Sequence, residues 1–396
     1  MKQRLAILGS TGSIGVNTLD VVARHPSRFE VFALTASTQV ELMLAQCVRF
    51  QPRFAVMASE SHGRELKRQV AALGLATEVQ WSPAAIEFTA GHEDVDTVMA
   101  AIVGAAGLAS CLAAARTGKR LLLANKEALV VGGDVFLRAV REGGARMIPI
   151  DSEHSAVFQS LPDDPSSWGT CVDKIILTAS GGPFRSRDAA KLRDVTPEEA
   201  CAHPNWVMGR KISVDSATMM NKALEVIEAR YLFGLPPEKI EVVMHPQSVV
   251  HSMVQFKDHS VVAQMGTPDM RAPIAYGLSW PQRMISGAAA LDFSALAAMT
   301  FEPMDTPEQQ ARYPGLRLAW ETLAAAPGTC AVLNAANEIA VQAFLDRRIR
   351  FDQIHVVNSE ALGLVSCQPP DTLEDLLEID RASRVTALRL VDGLAR

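Results

Sequence analysis

The strongest constraint on the fold is a glycine-rich turn close to the start of the chain. Glycines at positions 9, 12 and 15 follow the apolar segment 4–8 and open the helical segment 14–24. Because glycine lacks a Cβ atom, the backbone can turn tightly there and approach a pyrophosphate, which the amides of a helix N-terminus then bind. The turn predicts a dinucleotide-binding strand–turn–helix unit, with a glycine turn that binds nothing as the alternative.

The first 150 residues alternate apolar segments of strand length with amphipathic helical segments. This alternation predicts an α/β fold, a Rossmann-like doubly wound parallel sheet over residues 1–150. The predicted strands are 4–8, 31–35, 54–57, 97–103, 120–123 and 147–150. The predicted helices are 14–24, 40–49, 64–73, 108–117 and 135–142.

Beyond residue 150 the pattern changes. Segments 174–178, 242–244, 249–255 and 260–265 have strand character, so we expect a central α+β domain over residues 151–280. Residues 281–305 contain scattered Pro and Gly and are interpreted as a linker. Residues 306–396 should form a C-terminal helical bundle. Its predicted helices are 316–325, 331–346, 351–364 and 373–394.

Composition excludes several classes of function. The formal net charge of -6 over 396 residues gives no overall attraction to nucleic acid or to an anionic membrane. The most apolar segment, 97–112, is shorter than a bilayer span of roughly 20 residues and contains two glycines. The six cysteines are at least thirty residues apart, which favours neither a zinc site nor a redox pair. We expect a cytoplasmic protein.

The second predicted strand bears on the choice of dinucleotide. An Asp or Glu at its end would bind the ribose of NAD, but the sequence there is Thr-Ala-Ser-Thr-Gln, ending in Gln39. An acid would repel a 2′-phosphate, so its absence favours NADP.

Asn125, Lys126 and Glu127 follow the strand 120–123, at the strand end where ligands collect in this fold class. An ordinary solvated turn is the alternative.

Two polar clusters follow in the central region, and the first of them suits a hard cation. Residues 151–155 follow a predicted strand and open a helix-like segment. In extended geometry the carboxylates of Asp151 and Glu153 would project to the same side and suit magnesium or manganese. Asn221 and Glu225 are four residues apart on one helix face, with Lys222 beside them. Surface acids and a salt-bridged, capped helix are the alternatives.

Two loops between these clusters could cover a ligand. The turn Ser-Gly-Gly at 180–182 can present a hydroxyl and backbone amides. The segment 203–209, His-Pro-Asn-Trp-Val-Met-Gly, combines a titratable ring, a large apolar side chain and a terminal glycine. Such a segment is typical of a lid that excludes water, although ordinary loop packing explains each residue alone.

Taken together, the motifs resemble one enzyme family over essentially the whole chain. They are G-S-T-G-S-I-G at 9–15, A-N-K-E at 124–127, D-S-E-H at 151–154, S-G-G-P-F at 180–184, H-P-N-W-x-M-G at 203–209 and K-I-S-V-D-S-A-T-M-M-N-K-x-L-E at 211–225. In this order they resemble the 1-deoxy-D-xylulose 5-phosphate reductoisomerases. One departure concerns residues 37–39, Ser-Thr-Gln, where relatives often carry a Gly-basic-Asn loop.

The resemblance implies a metal-dependent isomerisation of this sugar phosphate and an NADPH-dependent reduction to 2-C-methyl-D-erythritol 4-phosphate, in a homodimer. It implies that Mg2+, Mn2+ or Co2+ is bound by Asp151, Glu153 and Glu225. It implies substrate contacts from Lys126, Ser152, Glu153, Ser180, His203, Ser216, Asn221, Lys222 and Glu225. Catalytic roles fall on Lys126, Asp151, Glu153, His203 and Glu225. Cofactor contacts fall on Thr11, Gly12, Ser13, Ile14, Gln39, Asn125, Glu127 and Gly209. A plain NAD(P)-dependent dehydrogenase and a non-catalytic dinucleotide sensor are the rival hypotheses.

Overall fold

The chain forms two compact units in the computed structural model, which describes residues 2–206, 208–296 and 298–394. The first unit comprises Met1–Ala128, Phe136–Ser155 and Asp269–Ala289. The second unit comprises Leu129–Val135, Ala156–Pro268 and Ala290–Arg396. The boundaries expected near residues 150, 280 and 305 remain a prediction.

The first unit is built on a parallel sheet of seven strands, counted over the described residues, in the order β4-β3-β2-β1-β5-β6-β7. The strands are β1 Gln3–Leu8, β2 Phe29–Ala36, β3 Phe54–Met57, β4 Glu78–Trp81, β5 Thr97–Ala100, β6 Arg120–Leu123 and β7 Arg146–Pro149. All residues of β3 and β5 are buried, as expected where helices cover both faces of a parallel sheet. The strand order reverses between β1 and β5, and ligands of doubly wound sheets bind at such a switch point.

Helices connect these strands and continue beyond them. They are α1 Ser13–Ala23, α2 Val40–Phe50, α3 Glu60–Ala72, α4 Pro83–Gly91, α5 Leu108–Arg116, α6 Lys126–Gly143 and α7 Ser152–Ser160. The predicted doubly wound class is confirmed, but β4 and α4 were not predicted. The edge strand β4 is short and half polar, and α4 has little amphipathic character.

Helix α6 begins nine residues before the predicted start at 135. The sequence contains Gly132 and Gly133, which favour a helix break, and Gly133 does adopt a non-helical φ of 44°. The helix nevertheless continues on both sides of this kink. Asn125, Lys126 and Glu127 therefore belong to the start of a helix and not to a solvated turn.

The second unit contains a mixed five-stranded sheet, as far as the described residues define it. Its order is β11-β10-β8-β9-β12, with β8 and β9 parallel and the other pairs antiparallel. The strands are β8 Val172–Ala179, β9 Ile240–Met244, β10 Val250–Phe256, β11 Val261–Met265 and β12 Glu302–Pro303. The predicted strands in this region are confirmed to within three residues at each end.

Helices complete the second unit, apart from α12, which lies in the first. The remaining helices are α8 Trp168–Cys171, α9 Pro197–Cys201, α10 Arg210–Ala217, α11 Met220–Phe233, α12 Arg271–Ser279, α13 Pro307–Arg312, α14 Leu318–Ala324, α15 Thr329–Leu345, α16 Phe351–Leu364 and α17 Leu373–Leu394. The apolar face of α15 packs against α16 and α17, confirming the predicted C-terminal helical region. Within the described residues, no helix is long and apolar enough to span a bilayer.

Candidate active site

The glycine turn lies between β1 and α1, at the switch point of the first sheet. Gly9 adopts a φ of 81°, and a Cβ atom there would lie 2.6 Å from the carbonyl oxygen of Ala101. A Cβ on Gly15 would overlap the backbone of Gly9 and of Ser10. Gly9 therefore allows the tight turn that the sequence predicted to pass close to Ala101, and Gly15 allows α1 to pack directly against the turn.

Contacts from α2 and β2 fix the conformation of this turn. Buried Ser10 donates its hydroxyl to Oε1 of Gln46 at 2.7 Å, and the Gln46 amide donates to the Ser10 carbonyl at 2.9 Å. The Gly9 amide donates to the hydroxyl of Thr35 at 3.0 Å. Beyond Ser10, Thr11 and Ile14 are half-buried while Gly12 and Ser13 are exposed, so this part of the turn is accessible to a ligand.

Asn125 organises the strand end beside this turn. Its side-chain oxygen caps α6 by accepting from the Ala128 amide at 3.2 Å, and its side-chain nitrogen donates to the Gly104 carbonyl at 3.0 Å. The next residue, Lys126, is buried and donates to Oδ2 of Asp151 at 2.6 Å. The first unit thus brings two predicted site residues, 25 positions apart, into a buried ion pair.

Asp151 and Glu153 do not lie on an extended segment, so the predicted local geometry is wrong. Strand β7 ends at Pro149, and α7 begins at Ser152. The Asp151 carboxylate accepts from the Glu153 amide at 3.2 Å, as acidic residues at helix starts do. Burial opposes its ionisation, but the Lys126 ammonium and the His154 ring outweigh burial and hold the pKa of Asp151 well below its ordinary value.

The second unit pairs Ser180 with His203, which the sequence could not show. Nε2 of His203 is 2.9 Å from Oγ of Ser180. Nδ1 of His203 accepts from the amides of Asn205 and Trp206, at 3.2 and 3.0 Å. Because amides only donate, the neutral ring carries its proton on Nε2 and donates it to Ser180. Burial lowers the pKa of His203 to about 4, so the ring is neutral at physiological pH.

This pairing leaves the Ser180 hydroxyl as a donor. Its oxygen accepts from His203 and from the Gly182 amide, which lies 3.2 Å away. A hydroxyl accepts two hydrogen bonds and donates one, so its own proton is directed to a third group. Gly182 also packs against the Ser216 carbonyl, since a Cβ there would be 3.0 Å from that oxygen. The turn at 180–182 and Ser216 are therefore neighbours.

Helix α11 carries the predicted polar group. The side chain of Asn221 donates to Oε1 of Glu225 at 2.5 Å, and the Lys222 ammonium donates to the other carboxylate oxygen. Lys222 and Glu225 are almost fully buried, with 3% and 1% of their side chains exposed. The predicted i,i+4 pair on one helix face is thus a direct hydrogen bond, and a buried cation lies beside it.

The remaining predicted residues lie on loops and helix starts. Gln39 is exposed at the start of α2, and its side chain makes no capping bond. Gly209 is exposed at the N-cap of α10, which leads to Ser216. Ser152 donates its hydroxyl to Glu153, and Glu127 is buried in the first turn of α6.

Sequence reasoning missed the long-range contacts that support the site. Tyr313 donates its hydroxyl to the Gly181 carbonyl at 2.7 Å, and the two residues are 132 positions apart in the sequence. The Asn205 side chain donates to the Pro246 carbonyl at 2.8 Å and to the Ser248 hydroxyl at 3.1 Å, which fastens the segment 203–206 to the loop after β9. These contacts are long-range, and nothing in the local sequence indicates them.

A doubly wound sheet with a glycine turn at its switch point, together with buried acidic, basic and hydroxyl groups, defines a dinucleotide-dependent enzyme. Family models agree with this class and narrow it. The model of 1-deoxy-D-xylulose 5-phosphate reductoisomerase matches residues 5–133, that of its C-terminal domain matches 147–233, and that of the DXP reductoisomerase C-terminal domain matches 265–386. The chain belongs to the 1-deoxy-D-xylulose 5-phosphate reductoisomerase family.

Individual relatives cover the full length of the chain. The reductoisomerase of Cupriavidus metallidurans is 56% identical over 99% of this chain and 99% of its own. That of Aromatoleum aromaticum is 56% identical over 97% of this chain and 95% of its own. A crystal structure of DOX-P reductoisomerase with NADPH, fosmidomycin and magnesium has a TM-score of 0.95 and 42% identity, covering 99% of both chains. The NADPH complex from Zymomonas mobilis has a TM-score of 0.92 and 45% identity, covering 100% of both.

Proposed function

We propose that this chain isomerises 1-deoxy-D-xylulose 5-phosphate in a metal-dependent step and reduces the resulting aldehyde with NADPH to 2-C-methyl-D-erythritol 4-phosphate, for non-mevalonate isoprenoid biosynthesis. The observation that carries the proposal is the full-length similarity to reductoisomerases at 56% identity, in a chain that retains both polar clusters. A solved relative in complex with NADPH, fosmidomycin and magnesium supports the cofactor and the metal.

The proposed cofactor contacts are Thr11, Gly12, Ser13, Ile14, Gln39, Asn125, Glu127 and Gly209. The accessible residues Thr11, Gly12, Ser13 and Ile14 bind the pyrophosphate through their amides and hydroxyls at the start of α1. Bound NADPH supplies the hydride for the reduction. Asn125, Glu127 and Gln39 supply further contacts along the strand ends.

The metal ligands are Asp151, Glu153 and Glu225. Their chemistry fits the metal, because carboxylate oxygens are the donors that magnesium and manganese prefer and the low pKa of Asp151 keeps that carboxyl ionised. Bound metal supplies a Lewis acid for the ketone and hydroxyl oxygens of the substrate. Lys126 donates to Asp151 and places a positive charge where the substrate gains negative charge.

The substrate phosphate is bound by Ser180, Ser216, Asn221 and Lys222. Ser180 donates its hydroxyl proton, because its oxygen already accepts from His203 and Gly182. Lys222 supplies the positive charge from a buried position, where Coulomb attraction is stronger than in water. Neutral His203 orients Ser180, and Trp206 on the same segment excludes water from the reacting groups.

The direct test is NADPH oxidation with 1-deoxy-D-xylulose 5-phosphate after chelation, with and without added Mg2+ or Mn2+, beside an NADH control. The proposal predicts oxidation that requires metal and favours NADPH. Oxidation that is insensitive to chelation would instead support the plain dehydrogenase. NADPH binding without turnover under any metal would support the dinucleotide sensor.

The His203 pKa predicts how the lid segment responds to acid. A lowered pKa contributes stability above the ordinary value of about 6.5, and this contribution is lost as the pH falls through about 4. We expect the fluorescence of Trp206, obtained as the difference from Trp206→Phe, to be constant above pH 6.5 and to change near pH 4. His203→Gln should remove this transition. A midpoint near 6.5 would contradict the buried, neutral ring.

The dimer is proposed on β11, the edge strand of the second sheet. Val261 and Val262 are 49% and 44% exposed, and an exposed apolar edge strand favours pairing with another chain. Sedimentation should give twice the chain mass of 42.7 kDa, and Val262→Lys should give the monomer. A monomeric wild type would contradict the dimer.

We also propose a cytoplasmic location, because all six cysteines are free.

A further inference from the structure

The loop after β2 is a poor site for a 2′-phosphate when it is considered alone. Ser37, Thr38 and Gln39 are all exposed and all uncharged. The 2′-phosphate distinguishes NADPH from NADH, and phosphate sites ordinarily combine several strong donors. Further donors must come from an element that lies beside this loop.

The segment after β3 is that element. Strands β2 and β3 are parallel and end level with each other, since Ala36 pairs with Met57. The Ala58 amide donates to the Ala36 carbonyl at 2.9 Å. Residues 58 and 59 therefore leave the sheet at the same edge as residues 37–39, and α3 begins there at Glu60.

A polar side-chain cluster is formed by Ser59 and by the first turn of α3. Oγ of Ser59 is 2.7 Å from Nδ1 of His62 and 3.2 Å from Oγ of Ser61. When Ser59 donates to Nδ1, the neutral imidazole carries its proton on Nε2 and can donate that proton outward. Ser59 and His62 are half-buried, which limits the number of positions the ring can adopt.

The one acid in this segment is neutralised by its neighbour. Glu60 would repel a phosphate, but its carboxylate accepts from Arg64 at 2.6 and 2.9 Å. The segment therefore presents donors without an unpaired negative charge.

We infer that the 2′-phosphate of NADPH is recognised by the loop after β2 and by the adjacent start of α3, where His62 and Ser61 supplement the uncharged residues 37–39. Ser59 is a positioning residue that holds the His62 ring through Nδ1, so that the ring proton is carried on Nε2. This inference rests on the proposed cofactor site at the glycine turn and assigns a second segment to it.

The test uses adenosine 2′,5′-diphosphate and 5′-AMP, which differ only in the 2′-phosphate, titrated into the full chain by calorimetry. His62→Ala should lower the affinity for adenosine 2′,5′-diphosphate about tenfold, as expected for a lost hydrogen bond to a charged group. It should change the affinity for 5′-AMP less than twofold. Ser59→Ala should have a smaller effect of the same kind. The control Gln69→Ala, two turns further along α3, should change neither ligand.

The outcomes separate this inference from the proposed function. Suppose that the wild type prefers adenosine 2′,5′-diphosphate to 5′-AMP and that His62→Ala binds adenosine 2′,5′-diphosphate as tightly as the wild type does. This result overturns the role inferred for His62 and leaves the proposed cofactor site standing. An equal loss of both ligands assigns His62 to the adenosine and also overturns the inference. A wild type that binds neither ligand overturns the proposed cofactor site itself.

Discussion

Glu225→Gln should abolish turnover, with a fall in kcat of about a thousandfold, because the metal's stabilisation of negative charge is worth several kcal/mol. The amide is close in size to the carboxylate, but its single oxygen replaces only one of the two that accept from Asn221 and Lys222, and it has no negative charge to attract a cation. Mn2+ affinity, measured by calorimetry, should fall by at least the roughly 10–100-fold that groups supporting a metal site contribute.

Glu228→Gln is the matched control, because Glu228 is also buried on α11 and follows Glu225 by three positions, slightly less than one helical turn. Both variants remove one buried acid, so both should lower Tm, but only Glu225→Gln should lose Mn2+ affinity. The reverse result, in which Glu228→Gln loses the metal and Glu225→Gln keeps it, would remove Glu225 from the ligand set. Equal loss in both variants would indicate a general effect on the helix.

The same variant also tests whether Lys222 binds phosphate. In Glu225→Gln the buried ammonium of Lys222 loses its anionic partner, and an uncompensated buried charge costs about 3–5 kcal/mol. A phosphate can replace that partner. Inorganic phosphate should therefore raise the Tm of Glu225→Gln more than that of the wild type, and the same Tm increase in both proteins would argue against Lys222 as a phosphate ligand.

Features that depend on sequence periodicity could be predicted. The alternation of apolar segments defines the parallel sheet, and the bounds of α16 and α17 agree with the predicted helices. The pair Asn221 and Glu225 was predicted because residues four apart on a helix are neighbours whatever the rest of the fold does.

Features that depend on tertiary contacts could not be predicted. The ion pair of Lys126 with Asp151 and the hydrogen bond of Ser180 with His203 join residues more than twenty positions apart. The helix-like segment predicted to open at residue 151 is confirmed by α7. The extended geometry assigned to the carboxylates of Asp151 and Glu153 is wrong, because the helix already begins at Ser152. The tautomer and neutrality of His203 depend on two backbone amides and on burial, which a sequence does not contain.

Gly15→Ala and Gly12→Ala should separate the structural from the binding role of the glycine turn. The Cβ of Gly15→Ala would overlap the backbone of Gly9 and Ser10, which cannot rotate away as a flexible side chain could, so α1 must shift from β1. We expect a cost of about 3 kcal/mol, typical of severe overpacking, and a fall in Tm of about 6–12 °C. NADPH affinity should fall as well, because the displaced α1 no longer presents its amides to the pyrophosphate.

Gly12→Ala places its Cβ 3.4 Å from the nearest atom, the Gly9 carbonyl oxygen, at a site that is otherwise exposed. Its Tm should therefore change by less than about 2 °C, consistent with the small effect of most surface substitutions. Its NADPH affinity should nevertheless fall about tenfold or more, because the added methyl group occupies the space through which a pyrophosphate approaches the backbone. Fluorescence titration with NADPH and thermal unfolding of both variants give the two readouts. If Gly12→Ala binds NADPH as the wild type does, the pyrophosphate does not contact this turn, and the glycines serve only to pack α1 against β1.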